Sequence, residues 1–178
     1  VRFGGYLDWR FPEGRRVLLD GRNELFVPLM TELAGIYSGA SPWQAWEQFV
    51  RRERIEGAVV RYLEQMKGVT YPAEAGQPPR TGHRAYSAYL FPRESWALVY
   101  WDDSALVFLR KGGPNEAIIR GSAYEAISPE DSRFQLERAA TDLDFRAMLQ
   151  RDIARRMASE PASARAREIG ESLEDMGG

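Results

Sequence analysis

A chain of 178 residues, 44% of them hydrophobic, is long enough to bury one core with a smaller appendage. Its 24 basic and 26 acidic residues leave a net charge of -2, which argues against the basic surplus of a nucleic-acid-binding domain. With no cysteine, disulfides, thiol catalysis and cysteine-ligated metal sites are excluded, and the redox compartment stays open.

Nearly all the positive charge is arginine, since only Lys67 and Lys111 are lysines. The planar guanidinium fork suits carboxylate or phosphate recognition, and the same preference fits a GC-rich genome. No run approaches the roughly 18 apolar residues of a membrane span, and no basic-then-apolar leader opens the chain. Val1 stands where a Met would start a protein, so the chain reads as a piece of a longer one.

In chain order, Gly4 to Trp9 fits a short helix opening at the glycines, and Pro12 to Gly14 a turn. "RRVLLD" (Arg15 to Asp20) reads as a buried strand ending at a turn signal. Phe26, Leu29, Met30, Leu33, Ile36 and Tyr37 recur at three-and-four spacing, which predicts an amphipathic helix closed by Gly39. Ser41-Pro42 starts a second helix, running through Trp43, Trp46, Phe49 and Val50 to about Arg54. A strand centred on Ala58 to Val60 follows.

Lys67 to Gly82, about 16 residues with Pro72, Pro78 and Pro79, reads as a long loop, and His83 to Phe91 as a short helix stopped by Pro92. "SWALVYWDDSALVFLRK" gives two apolar runs about Asp102-Asp103, predicting an antiparallel hairpin buried on both faces. After the "GGPNE" break the chain turns alanine-rich and charged. Ser128 to Asp131 caps a helix from about Asp131 to Thr141, and Asp144 starts another carrying Phe145, Met148, Leu149, Ile153 and Met157. A turn at Pro161 leads to a last helix reaching about Asp175, making an αα-hairpin.

Strands separated by helices imply parallel pairing. The expected fold is therefore a three-layer α/β/α sandwich with a mixed sheet, parallel strands plus an antiparallel edge hairpin, and a C-terminal helical hairpin. The α/β domain spans 1–113 and the helical extension 114–178.

Few side chains suggest chemistry. His83, the only histidine, lacks partners for a zinc site and reads as a surface or helix-start residue. Asp102 and Asp103 are explained by the hairpin turn, and adjacent strand residues face opposite ways, which suits acid–base sharing poorly. No nucleophile elbow, phosphate loop or dinucleotide fingerprint occurs, so no catalytic residue, metal or cofactor is assigned.

Asp20-Gly21-Arg22 is the candidate site, because ligands bind at the carboxyl ends of strands in open α/β sheets. Asp20 would accept from sugar hydroxyls and Arg22 would hold a phosphate or carboxylate. The alternative is an Asp-Gly turn locked by an Asp20–Arg22 or Arg22–Glu24 ion pair. The tryptophans (Trp9, Trp43, Trp46, Trp96 and Trp101) can stack on sugars, but their spacing favours core packing.

The order of these motifs has a counterpart. "FGGYLDWRFPEGRRVLLDGRNELF" resembles the Trp-Gly-Gly-Tyr-Leu-x-Trp … Asp-Gly-Arg segment of many bacterial multi-spanning membrane proteins. These are glycosyltransferase-like proteins of the oligosaccharyltransferase and protein-mannosyltransferase class. "GAVVRYL" and "WALVYWDDSALVFLRK" match its later strands, and a tetratricopeptide-like tail follows from about Ser128. The likeness covers about 110 residues, and Phe3 stands where the pattern has Trp.

In that class the catalytic carboxylates lie in loops between membrane helices, none of which this chain contains. The resemblance therefore implies a non-catalytic domain on the periplasmic or extracellular face of a bacterial membrane. Its partners would be the transmembrane part of the same protein, a glycan or lipid-linked sugar, or a protein docked on the C-terminal helices. A free-standing binding module for a small sugar or anion is the alternative, and an independent hydrolase lacks any nucleophile–base pair.

Overall fold

The structure, a computed structural model, describes residues 4–10, 17–18, 23–38, 42–62, 66–71 and 80–176. The chain divides into two compact units, Val1–Glu53 and Arg54–Gly178.

In the first unit the expected opening helix forms as α1 (Gly4–Arg10). Its Trp9 is 75% exposed, so this tryptophan does not belong to the core its spacing suggested. The Tyr6 ring lies 6.0 Å from that of Trp9 and is exposed with it. The turn at Pro12–Gly14 lies outside the described residues. Of the expected strand Arg15–Asp20 only Val17 and Leu18 are described, half-buried and in no strand.

A 3-10 turn (Asn23–Phe26) leads into α2 (Val27–Ser38), and α3 follows (Pro42–Arg52). The apolar stripe of α2 is narrower than its spacing implies, for Leu33 and Ile36 are buried while Met30 and Tyr37 are exposed. α3 buries Trp46, Phe49 and Val50, the first two rings stacked at 5.8 Å. The Arg52 fork donates to both carboxylate oxygens of Glu32 at 2.7 and 2.8 Å and so ties α3 to α2. Such an exposed pair fixes geometry more than it adds stability.

The second unit contains two antiparallel sheets. β1 (Gly57–Arg61), β5 (Ala105–Arg110) and β4 (Trp96–Trp101) make one in the order β1-β5-β4, while β2 (Met66–Tyr71) and β3 (Arg80–Ala85) pair alone. Every pairing among the described residues is antiparallel, so the parallel strands expected of a mixed sheet do not form there. The reason lies in the strand order. β1 and β4 run in the same direction, but β5, joined to β4 by a tight hairpin, lies between them and pairs antiparallel with both. A short helix, α4 (Tyr86–Leu90), precedes β4.

The long loop read over Lys67–Gly82 is also corrected, since its two ends pair as β2 and β3. His83 sits opposite Gly68 in that pairing rather than at a helix start, and the helix read from it is only α4. Gly68 shifts the phase of the alternation in β2, and β3 is polar or glycine up to Ala85, so neither run reads as a strand.

The hairpin about Asp102-Asp103 forms as expected, with a register shift between Leu98 and Tyr100. Leu98 and Phe108 are cross-strand partners, and Leu106 shares their face. On the other face Val107 and Leu109 are half-buried.

Beyond β5, Gly112 adopts the left-handed backbone (φ 78°) that the turn requires, and α5 (Glu116–Ser122) follows, a helix absent from the sequence reading. α6 (Ser132–Ala139), α7 (Leu143–Ser159) and α8 (Ala164–Asp175) then pack on one another. The residue at the start of α7 that caps it is Asp142, whose carboxylate accepts from Phe145 N at 2.9 Å, rather than Asp144. Asp131 does not cap α6 with its side chain. Instead its buried carboxylate accepts from the Arg84 guanidinium and, at 3.1 Å, from Ala85 N.

The helical tail is tied to β4 and braced within itself. Tyr124 N donates to Leu98 O at 2.8 Å, and Asp152, buried on α7, accepts from Ala126 N and Ile127 N at 2.6 and 2.9 Å. The change of composition after Gly113 thus marks a change of element type within one unit.

Candidate functional site

Asp20 and Arg22, the pair singled out in the sequence, lie outside the described residues. His83 is exposed. Among the described residues no cluster of three His, Asp or Glu side chains can hold a metal ion, and no helix is long and apolar enough to cross a membrane.

The paired aspartates have structural tasks. Asp102 Oδ1 accepts from Ser104 N and Ala105 N at 2.7 and 2.8 Å, closing the hairpin turn, and its Oδ2 accepts from Tyr100 Oη at 2.8 Å. Burial opposes its charge, but the bonds from Ser104, Tyr100 and Ala105 outweigh that and hold its pKa below the ordinary value. Asp103 turns the other way and reaches the start of α8, accepting from Ser163 Oγ, Ala164 N and Arg165 N at 2.8, 2.9 and 3.1 Å.

A carboxylate on orphan amides at a helix N-terminus acts as a cap, here supplied from 60 residues away. The Ala164 and Ser163 bonds lower the Asp103 pKa from 3.8. Asp103→Ala is therefore expected to cost about 1 kcal/mol at pH 7. Because the folded-state pKa is depressed, that contribution is present above pH 3.8 and is lost as pH falls through the lowered value. Urea midpoints of the parent and variant should differ at pH 7 and converge in acid.

One concavity stands out among the described residues, a cavity of about 450 Å³ between the hairpin face and helices α6 and α7. That volume is in the range of small-molecule sites. Its sheet wall is apolar, formed by Trp96, Leu98, Leu106 and Phe108, with Phe91 stacked on Phe108 at 4.5 Å and edge-on to Trp96 at 5.1 Å. Phe134, Phe145 and Met148 face it from the helices.

Three arginines border the same space. Arg84 lies 3.7 Å over the Phe134 ring and is paired with Asp131. Arg138 lies 4.1 Å over Phe145 and reaches Asp142 at 3.2 Å. Arg93 differs. It donates to the carbonyls of Tyr124 and Glu125 at 3.0 and 2.9 Å, to that of Ile127, and to Ser128 Oγ at 3.3 Å. No carboxylate lies within ion-pair distance of it among the described residues, and burial lowers its pKa.

Trp96 and Gln135 also line the cavity, and their Nε1 and Nε2 atoms, buried inside the protein, have no hydrogen-bond partner among the described residues. Gln135 is 2% exposed, and its Oε1 accepts from Ser128 N at 2.6 Å. Glu130 accepts from Ser87 Oγ, and Glu94 and Glu125 lie at the exposed rim.

None of these residues was singled out as a site from the sequence. The one local signal is Gln135, a polar residue four positions before buried Ala139 on the inward stripe of α6. Trp46, Trp96 and Trp101 are buried, as their spacing implied, although Trp96 also borders the cavity. Comparison of the chain with protein-family models, curated proteins and solved structures finds no match.

Proposed function

We propose that this chain is a non-catalytic, extracytoplasmic domain of a larger bacterial glycosyltransferase-like membrane protein, where it supports glycan or acceptor handling. The observation that carries the non-catalytic part is the use made of the carboxylates. Asp102, Asp103, Asp131, Asp142 and Asp152 each accept from backbone amides and hold turns, helix ends or loops, so their charge serves the scaffold. The membrane setting is supported by the motif order of residues 3–113. The proposal includes the three-layer α/β/α arrangement, which the alternating helix and strand patterns of the sequence support.

A topology reporter tests it. Alkaline phosphatase joined after Gly178 in the full-length gene product should be active, while a fluorescent protein at the same place should stay dark. The opposite pattern would overturn the assignment. A second reading, a free-standing module that binds a small sugar or anion, is favoured by the presence of this cavity.

A further inference from the structure

We propose that the exposed face of α2 rests on an uncharged bilayer surface, with Trp9 of the same unit as an interfacial anchor. The inference goes beyond the tethering proposed above, since a tethered domain need not touch lipid. It starts from a helix that is apolar on two sides. Leu33 and Ile36 are buried, whereas Val27, Met30, Thr31, Ala34, Tyr37 and Ser38 form an exposed stripe at the same helical period.

No residue of that stripe is charged, in a chain where 28% of residues are. Glu32, the one charge on α2, lies off the stripe and is held by the Arg52 fork. The two hydroxyls on the stripe bond back to the helix itself. Thr31 Oγ1 donates to Val27 O and Ser38 Oγ to Ala34 O, each at 2.9 Å, which satisfies both donors without water. Of the eleven large hydrophobic side chains exposed among the described residues, six belong to this unit, Val1–Glu53. They include Tyr6 and Trp9, the two residue types that settle where a bilayer meets water.

Area and charge choose the occupant. At 1.5 Å per residue α2 is about 18 Å long, so its stripe offers roughly 200 Å². A stable dimer takes about 800 Å² from each partner, whereas a bilayer needs no matching surface. Residues 1–53 hold seven arginines and seven acidic residues, so the unit has no net charge to draw it to anionic headgroups.

The test is flotation of the 178-residue chain with phosphatidylcholine vesicles, alone or with phosphatidylglycerol, at low and high salt. The chain should float with both, and neither phosphatidylglycerol nor salt should change the binding more than about twofold. Met30→Glu with Ala34→Glu charges the stripe at two exposed positions and should weaken binding at least about tenfold. Trp9→Ala should weaken it about threefold. Ile118→Glu, exposed on α5 of the other unit, should leave it unchanged.

No flotation, or flotation that needs phosphatidylglycerol and is lost in salt, would overturn the proposal. So would light scattering that shows a dimer abolished by the α2 double variant, for the stripe would then face a second copy. Binding untouched by the double variant, or weakened as much by Ile118→Glu, would overturn its assignment to α2. Binding untouched by Trp9→Ala would remove Trp9 from the contact. Should the double variant fail to fold, the parent chain's indifference to phosphatidylglycerol and salt still decides. Failure of flotation leaves the topology reporter's result standing, so the two proposals are told apart.

Discussion

Asp131→Ala is expected to destabilise the second unit by about 3 kcal/mol and lower its melting temperature by about 10 °C. The carboxylate is 3% exposed, and two groups depend on it. Ala85 N, at the end of β3, donates to Oδ1 at 3.1 Å, and the Arg84 guanidinium donates to Oδ2 while lying over Phe134. Truncation leaves a buried amide without an acceptor and a partly buried cation without a counter-charge. Breaking one side of such a pair costs more than the pair itself contributes.

Two controls separate those terms. Asp131→Asn retains an acceptor for Ala85 N and should cost about half as much. Adding Arg84→Met to Asp131→Asn removes the stranded cation and should recover part of the loss, an interaction read from a double-mutant cycle in urea. If Asp131→Ala moved the midpoint by less than about 1 kcal/mol, the carboxylate would not be what joins α6 to β3.

The same residue shows where sequence reasoning reaches and where it stops. Ser128-Pro129-Glu130-Asp131 carries a helix-start signal, and α6 does begin at Ser132. Yet the partner of Asp131 lies 47 positions back at Arg84, and nothing local announces it. Three-and-four spacing located α2, α3 and α7, while apolar runs and turn signals located β1, the β4–β5 hairpin and α8. Both failed at β2 and β3, where Gly68, Gly82 and charged residues interrupt the alternation, and strand pairing supplied what the pattern did not.

Pairing direction was also out of reach. β1 is antiparallel to its neighbour because β5, and not β4, takes the place beside it, and nothing local says which strand of the hairpin will do so. The cavity was less legible still. Arg93, Trp96 and Gln135 come from a loop, a strand and a helix, and only the last breaks a local pattern by being polar where its stripe is buried.

Trp101→Ala should have the largest effect, about 4 kcal/mol and a melting temperature about 12 °C lower, because two losses coincide. The indole is 0% exposed at the end of β4, opposite Leu106 and edge-on to Tyr124 at 6.2 Å. Removing it leaves a void that the hairpin and the 123–127 segment cannot close together, since Tyr124 is fixed to Leu98 O and lies under the Arg155 guanidinium at 3.5 Å.

The second loss is electrostatic. Arg156, 4% exposed on α7, has its guanidinium 5.7 Å from the Trp101 ring and 5.3 Å from Tyr100, and its Nε has no hydrogen-bond partner among the described residues. A buried cation resting on ring faces loses half of that support when the indole goes. Trp101→Phe, which keeps a ring, should cost less than half of the alanine change. Arg156→Met should cost less in the Trp101→Ala background than alone, since there it removes a cation already stripped of its larger ring. Equal costs in both backgrounds, measured by denaturant unfolding, would show that Trp101 acts through volume only and that Arg156 draws its support from Tyr100 and the nearby Asp102 and Asp103 charges.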